Sequence, residues 1–297
     1  MVSNAPERLV LGTAQLGMTY GIANSFGKPE RQLVAQILNT AWDAGIRILD
    51  TAKIYGDAEI EIGNWHRTHP GQNFKVYTKL DPALKLDGPK EIHTALVESE
   101  ARLQVTPTGI LLHDPSLAHD LDRRIGEVLT SLRTSGYSGS FGISVYTPNE
   151  FEEALKANTI QFIQAPFNVF DTRIVDQGLL EKAKSANKPV FIRSVFLQGL
   201  ATMAPDQLSK SMSFAASNIG EWDQLCRKYK REKYPTALKF AFQNTGETHL
   251  LIGCETVQQL EDDLAALATP KLPDEINQAI LAMTDAPERM INPAHWP

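Results

Sequence analysis

The segment Ile46-Arg47-Ile48-Leu49-Asp50-Thr51-Ala52-Lys53-Ile54-Tyr55-Gly56 decides how the rest of the chain is read. An apolar run of strand length stops at a carboxylate, Asp50, and five residues later Tyr55 is followed at once by a glycine. Helical patterns flank it, over residues 32–44 before and 58–65 after. A strand held between two helices belongs to a parallel sheet buried on both faces. In such folds the working side chains gather where strands end and loops begin, which is where Asp50 and Tyr55 stand. Alone, the pair has an ordinary explanation, an aspartate capping a helix and a tyrosine packing in a loop. Its weight depends on what the other strands bring to the same place.

Seven more apolar runs repeat the pattern, over residues 9–14, 74–80, 109–113, 140–145, 160–165, 189–194 and 249–253, each followed by residues with helical spacing. Thr147-Pro148-Asn149-Glu150 and Thr256-Val257-Gln258-Gln259 read as capping boxes that open two of those helices. Residues 15–31 form a glycine-rich loop carrying Met18, Tyr20, Ile22 and Phe26, apolar enough to be expected to cover something. Eight strand–helix units without a break in composition predict an α/β fold, a closed (β/α)8 TIM barrel, with residues 1–297 as a single domain. An open doubly wound sheet would favour a phosphate fingerprint after the first strand. Gly12-Thr13-Ala14-Gln15-Leu16-Gly17 lacks the G-x-G-x-x-G spacing.

With a net charge of −6 and no cluster of Lys or Arg, neither nucleic acid nor an anionic membrane is expected as a partner. No apolar run approaches the roughly 20 residues needed to span a bilayer, and Met1 to Arg8 has no signal-peptide pattern. Cys226 and Cys254 give neither a disulfide framework nor a metal spacing. A soluble, cytoplasmic protein is the expectation; the oligomeric state is not legible.

Three successive strands end in ionisable groups on one rim: Asp50 with Tyr55 in its loop, then Lys79, then His113. Each has a dull reading singly, a solvated lysine or a structural histidine. Together they form a coherent chemistry. An ammonium beside a tyrosine stabilises the phenolate and lowers its pKa, and a carboxylate holds the ammonium in place. A neutral imidazole can orient a carbonyl oxygen. Such a site needs a hydride source that no side chain provides.

The chain resembles the aldo-keto reductase superfamily across essentially its whole length. The resemblance rests on Leu-Gly-Thr-Ala at 11–14, Asp-Thr-Ala…Tyr-Gly at 50–56, Thr-Lys at 78–79, Leu-His-Asp-Pro at 112–115, Phe-Gly-Ile-Ser at 141–144, Gln164 with Asn168, and Gln-Gly-Leu at 198–200. It implies a catalytic tetrad of Asp50, Tyr55, Lys79 and His113, with the tyrosine protonating a carbonyl as a nicotinamide delivers hydride. It further implies that Gly12 and Thr13 approach the cofactor and that Ser144 and Gln164 bind the carboxamide. Gln198, Gly199 and Leu200 would follow the pyrophosphate, and Gly253, Thr256, Gln259 and Asp263 would hold the adenosine end.

The chain departs from the family pattern at three places. Val145 follows Ser144 where Asn is common. Arg193 stands where many members stack an aromatic on the nicotinamide; its guanidinium could stack on that ring or point its N–H fork at a phosphate or carboxylate. Gly253, Glu255 and Gln259 stand where many members place Lys or Arg against a 2′-phosphate. NADP(H) is therefore only slightly favoured over NAD(H). The resulting expectation is an NAD(P)H-dependent reductase of small-molecule carbonyls, possibly sugars, or the reverse alcohol oxidation. A regulatory subunit that binds cofactor on the same fold is the alternative, and the complete tetrad argues against it.

Overall fold

The computed structural model describes residues 5–84 and 88–296; part of the opening segment read above, Met1 to Asn4, lies outside them. Eight parallel strands close into a barrel in sequence order: β1 (Leu9–Gly12), β2 (Ile48–Asp50), β3 (Lys75–Lys79), β4 (Gly109–Leu112), β5 (Ser140–Ser144), β6 (Phe162–Pro166), β7 (Val190–Arg193) and β8 (His249–Gly253). β8 returns to pair with β1, Gly12 opposite Gly253. The predicted TIM barrel is the observed fold; most strands are a residue or two shorter than expected, and β6 is shifted to end at Pro166. One predicted helix is two: Arg173–Asp176 and Leu179–Ser185 are separated at Gly178, whose φ is +64°.

Alternation along the strands separates two cores. Leu9, Leu11, Leu49, Val76, Ile110 and Ile163 face the surrounding helices, whereas Val10, Ile48, Leu111, Phe162 and Phe191 fill the barrel itself, with Tyr77 and Leu251 against them. Tyr77, Phe162 and Phe191 form an aromatic cluster with centroids 4.8–5.4 Å apart. Glycine makes room for it. A Cβ at Gly142 would lie 2.4 Å from the Phe162 ring, and one at Gly109 2.6 Å from Tyr77.

On the outer side, buried Glu59 in the helix Ala58–Thr68 accepts from Thr78 Oγ1 (2.7 Å) and from Arg102 Nε (2.6 Å). Both carboxylate oxygens are thereby satisfied, as burial of the charge requires, and two helices are fixed to β3 beside Lys79. Among the described residues no helix is long and apolar enough to cross a membrane.

Gly142→Val should overpack the barrel interior and cost about 1–3 kcal/mol of stability. Urea unfolding, read as a lowered midpoint with an unchanged m-value, checks it.

Candidate active site

Two residues beyond each interior side chain the pleat presents another on the same face, and these make the barrel mouth. The steps are Val10 to Gly12, Ile48 to Asp50, Tyr77 to Lys79, Leu111 to His113, Gly142 to Ser144, Phe162 to Gln164, Phe191 to Arg193 and Leu251 to Gly253. All eight of the second members line one cavity of about 340 Å³.

Asp50 and Lys79 are each 3% exposed. Lys79 Nζ donates to Asp50 Oδ1 and, at 3.3 Å, to the Thr51 carbonyl. Gln164 Nε2 donates to the other carboxylate oxygen at 2.7 Å. Thr13 gives both its backbone N–H and its hydroxyl to the Asp50 carbonyl, at 2.9 and 3.0 Å.

Tyr55 reaches the mouth from its loop, and its ring centroid lies 5.0 Å from Lys79 Nζ. Two glycines place that loop. A Cβ at Gly17 would fall 1.9 Å from the Tyr55 carbonyl oxygen, and one at Gly56 (φ +55°) would fall 2.3 Å from the Gly17 carbonyl. The phenol is pushed well above its ordinary pKa, by burial first and by the Asp50 carboxylate next, with the Arg193 charge opposing. This corrects the expectation that the neighbouring ammonium leaves the phenol acidic: Asp50 engages Lys79, and desolvation dominates. The His113 imidazole is pushed down to about 4 by burial and by the charges of Lys79 and Arg193, with Asp81 opposing. It is neutral at pH 7, and its buried Nδ1 has no hydrogen-bond partner among the described residues.

Ser144 and Gln164 are paired across β5 and β6, with Ser144 Oγ 3.5 Å from Gln164 Oε1. At that separation the hydroxyl can donate to, and the amide oxygen accept from, a further partner, a donor–acceptor pair that suits a planar carboxamide. Arg193 donates to Ser144 Oγ at the end of β5 and to the carbonyl of Val145 just past it.

Away from the mouth the cavity runs between the loops after β1, β7 and β8. Gln198 and Gly199 line it, in a turn where Ser194, Leu197, Gln198 and Gly199 all have positive φ. The loop after β1 lies on that turn, Ile22 N–H donating to the Gln198 carbonyl at 3.0 Å, so the apolar loop does cover something. Beyond Gly253 at the rim, Gln259, Glu255 and Tyr234 line the far end.

Three residues assigned to the cofactor from the sequence stand elsewhere. Leu200 is fully buried in the core, and Thr256 caps its helix by accepting from Gln259 N–H at 3.2 Å. Asp263 lies beneath the cavity, fully buried, and accepts from Tyr234 OH at 2.6 Å while its other oxygen has no partner among the described residues. Burial raises its pKa to about 7, with Asp262 adding to the effect and the Tyr234 bond opposing it. The sequence reading passed over Tyr146 and Tyr234, which line the cavity, and gave Tyr20 and Gln15 no site role. Tyr146, directly after the fifth strand and before a capping box, carried a usable positional signal; Tyr234 carried none.

A buried carboxylate–ammonium pair, a phenol and a neutral imidazole thus meet at the mouth of a (β/α)8 barrel, an enzyme-like site of the kind this fold carries. The chain belongs to the aldo/keto reductase family, whose model matches residues 8–284. It is 25% identical to D-threo-aldose 1-dehydrogenase of a Pseudomonas species, over 91% of this chain and 95% of that protein. It is also 25% identical to the uncharacterized oxidoreductase YqkF of Bacillus subtilis (strain 168), over 92% and 95%. Among solved structures, the holo form of aldo-keto reductase AKR11C1 from Bacillus halodurans superposes with a TM-score of 0.75, at 20% identity over 97% of this chain and 94% of that one. Glycerol dehydrogenase AKR11B4 from Gluconobacter oxydans gives 0.67, at 22% identity over 92% and 90%. Family membership makes the chain a nicotinamide-dependent oxidoreductase of small-molecule carbonyls.

Asp263 yields a prediction for stability. Its native carboxyl keeps a proton up to about pH 7, whereas the unfolded chain releases that proton near pH 4. Its contribution is therefore most favourable below about pH 4, declines as pH rises through 7, and is level beyond. Asp263→Asn cannot ionise, so its stability relative to wild type should improve by about 1–3 kcal/mol between pH 4 and 8. Denaturation midpoints measured across that range test the slope.

Proposed function

We propose that this chain is an NAD(P)H-dependent carbonyl reductase in which Tyr55 donates the proton to the carbonyl oxygen. The observation that carries the reading is a phenol held protonated by its surroundings, lining the same cavity as a neutral imidazole. A bound nicotinamide dinucleotide supplies or accepts the hydride. Tyr55 OH donates as charge develops on the oxygen, and His113 orients that oxygen by a hydrogen bond. Lys79, paired with Asp50 and 5.0 Å from the phenol ring centroid, offsets the Asp50 charge that opposes the phenolate left behind. Ser144 and Gln164 would hold the carboxamide, and Gln198 and Gly199 the pyrophosphate, with Gly12, Gly253 and Gln259 along the path. The name of the Pseudomonas relative makes aldoses the first substrates to test, in both directions.

A strongly raised phenol pKa has a direction. Reduction uses the protonated form and should be insensitive to pH above neutrality, whereas oxidation needs the rare phenolate and should accelerate as pH rises. Tyr55→Phe keeps the ring and removes the proton; turnover should fall by about 10²–10⁴ while cofactor affinity stays near normal. Steady-state rates and nicotinamide fluorescence titrations check both halves, and undiminished turnover removes Tyr55 from the chemistry.

NADP(H) is proposed to lead NAD(H) only modestly. Glu255 is the charged side chain among the far-end residues Glu255, Gln259 and Tyr234, and among the described residues no Lys or Arg lines the cavity beside them. The kcat/KM values for the two cofactors should differ by less than about tenfold. A thousandfold preference, roughly 4 kcal/mol, would require a cation reaching the phosphate from elsewhere.

A further inference from the structure

The charged groups that line the cavity do not balance along its length. Asp50 and Lys79 neutralise each other, His113 is uncharged, and Glu255 stands at the far end. Arg193 is left at the catalytic end with no ion pair among the described residues. Its bonds go to uncharged partners: Nε to Ser144 Oγ at 3.2 Å, one terminal nitrogen to Ser194 Oγ at 3.0 Å, the other to the Val145 carbonyl at 2.8 Å. A guanidinium carries five N–H donors; these three bonds leave two for a ligand.

The group is held as a fixed device. Its plane lies over the Tyr146 ring, 4.1 Å from the centroid. Tyr146 is fixed through its backbone, its N–H donating to Glu150 at 2.7 Å and its carbonyl accepting from Arg173 at 3.1 Å. Ser194, in the left-handed region at φ +60°, has its carbonyl held by buried Asn168 at 3.1 Å. A strained non-glycine residue beside a pinned, half-buried cation marks a place where the backbone is set for a ligand. The Arg193 charge is felt at Tyr55, Tyr20 and His113, so it faces the reacting cluster.

We propose that Arg193 anchors an anionic group of the substrate, so that the preferred carbonyl compounds carry a carboxylate or phosphate near the reacting carbon. This rests on the carbonyl-reductase reading of the same cavity and adds the substrate class. The cofactor pyrophosphate is the competing anion, and the test separates the two.

The test uses matched pairs, 4-oxobutanoate against butanal and glyceraldehyde 3-phosphate against glyceraldehyde. Each is titrated calorimetrically into the full chain saturated with oxidised dinucleotide. Wild type should bind the anionic member at least about tenfold tighter, as expected for a charge-assisted fork. Arg193→Met should collapse the gap, and Arg193→Lys should retain part of it and certify folding. Equal affinities in wild type, or a gap surviving in Arg193→Met, overturn the proposal. So does a weakened dinucleotide affinity with the gap intact, which assigns the guanidinium to the pyrophosphate. Turnover of all four compounds with reduced dinucleotide is followed separately by absorbance. An Arg193-dependent gap without turnover of any member leaves the anion site standing and removes the carbonyl-reductase reading.

Discussion

A carboxylate sealed inside a barrel has to be answered on both oxygens, and the manner in which Asp50 is answered organises the mouth of this molecule. Lys79 arrives from the neighbouring strand and Gln164 from the far side of the barrel, while the backbone carbonyl of Asp50 is met twice by Thr13. Residues of β2, β3 and β6, with Thr13 just past the end of β1, thus meet at one point. The ammonium under the Tyr55 ring has its position set by that carboxylate. Removing either ion would leave a buried charge with no counterpart, which is why such pairs are costly to disturb even when they add little net stability.

The same pleat that packs the barrel builds the site. One step of two residues separates the aromatic and aliphatic filling from the polar tier, so the hydrophobic floor and the chemistry share a register. Tyr77 cannot shift along its strand without carrying Lys79 with it, nor Phe162 without Gln164. The floor is close-packed only because Gly109 and Gly142 concede volume to the rings.

This coupling also explains what could be read from the sequence. The eight strands and the residues Asp50, Lys79 and His113, with Tyr55 in the loop after Asp50, could be read because apolar runs of strand length end at polar residues, a signal contained within each segment. The family resemblance carried Ser144 and Gln164 to the same tier. Tyr234 was not legible, since its place depends on how a helix beyond an irregular insert comes to rest. Asp263 shows another limit. The family resemblance placed it near the adenosine end but could not say that it turns under the helix toward Tyr234, away from the cavity. The phenol of Tyr55 shows a third: sequence supplied the neighbouring charges, whereas burial, which outweighs them, is a property of the folded state alone.

Gly199 and Ala23 bear on how this surface can change over evolutionary time. The space a Cβ at Gly199 would need is already taken by the Ala23 methyl, 2.4 Å away, and Gly199 itself sits at φ +94°. The loops after β1 and β7, remote in the chain, therefore form a single epistatic unit. A substitution tolerated in one is conditional on the residue in the other, and their effects will not add. Grafting either loop alone from a relative imports half of a contact; recombination that respects this barrel moves the two together.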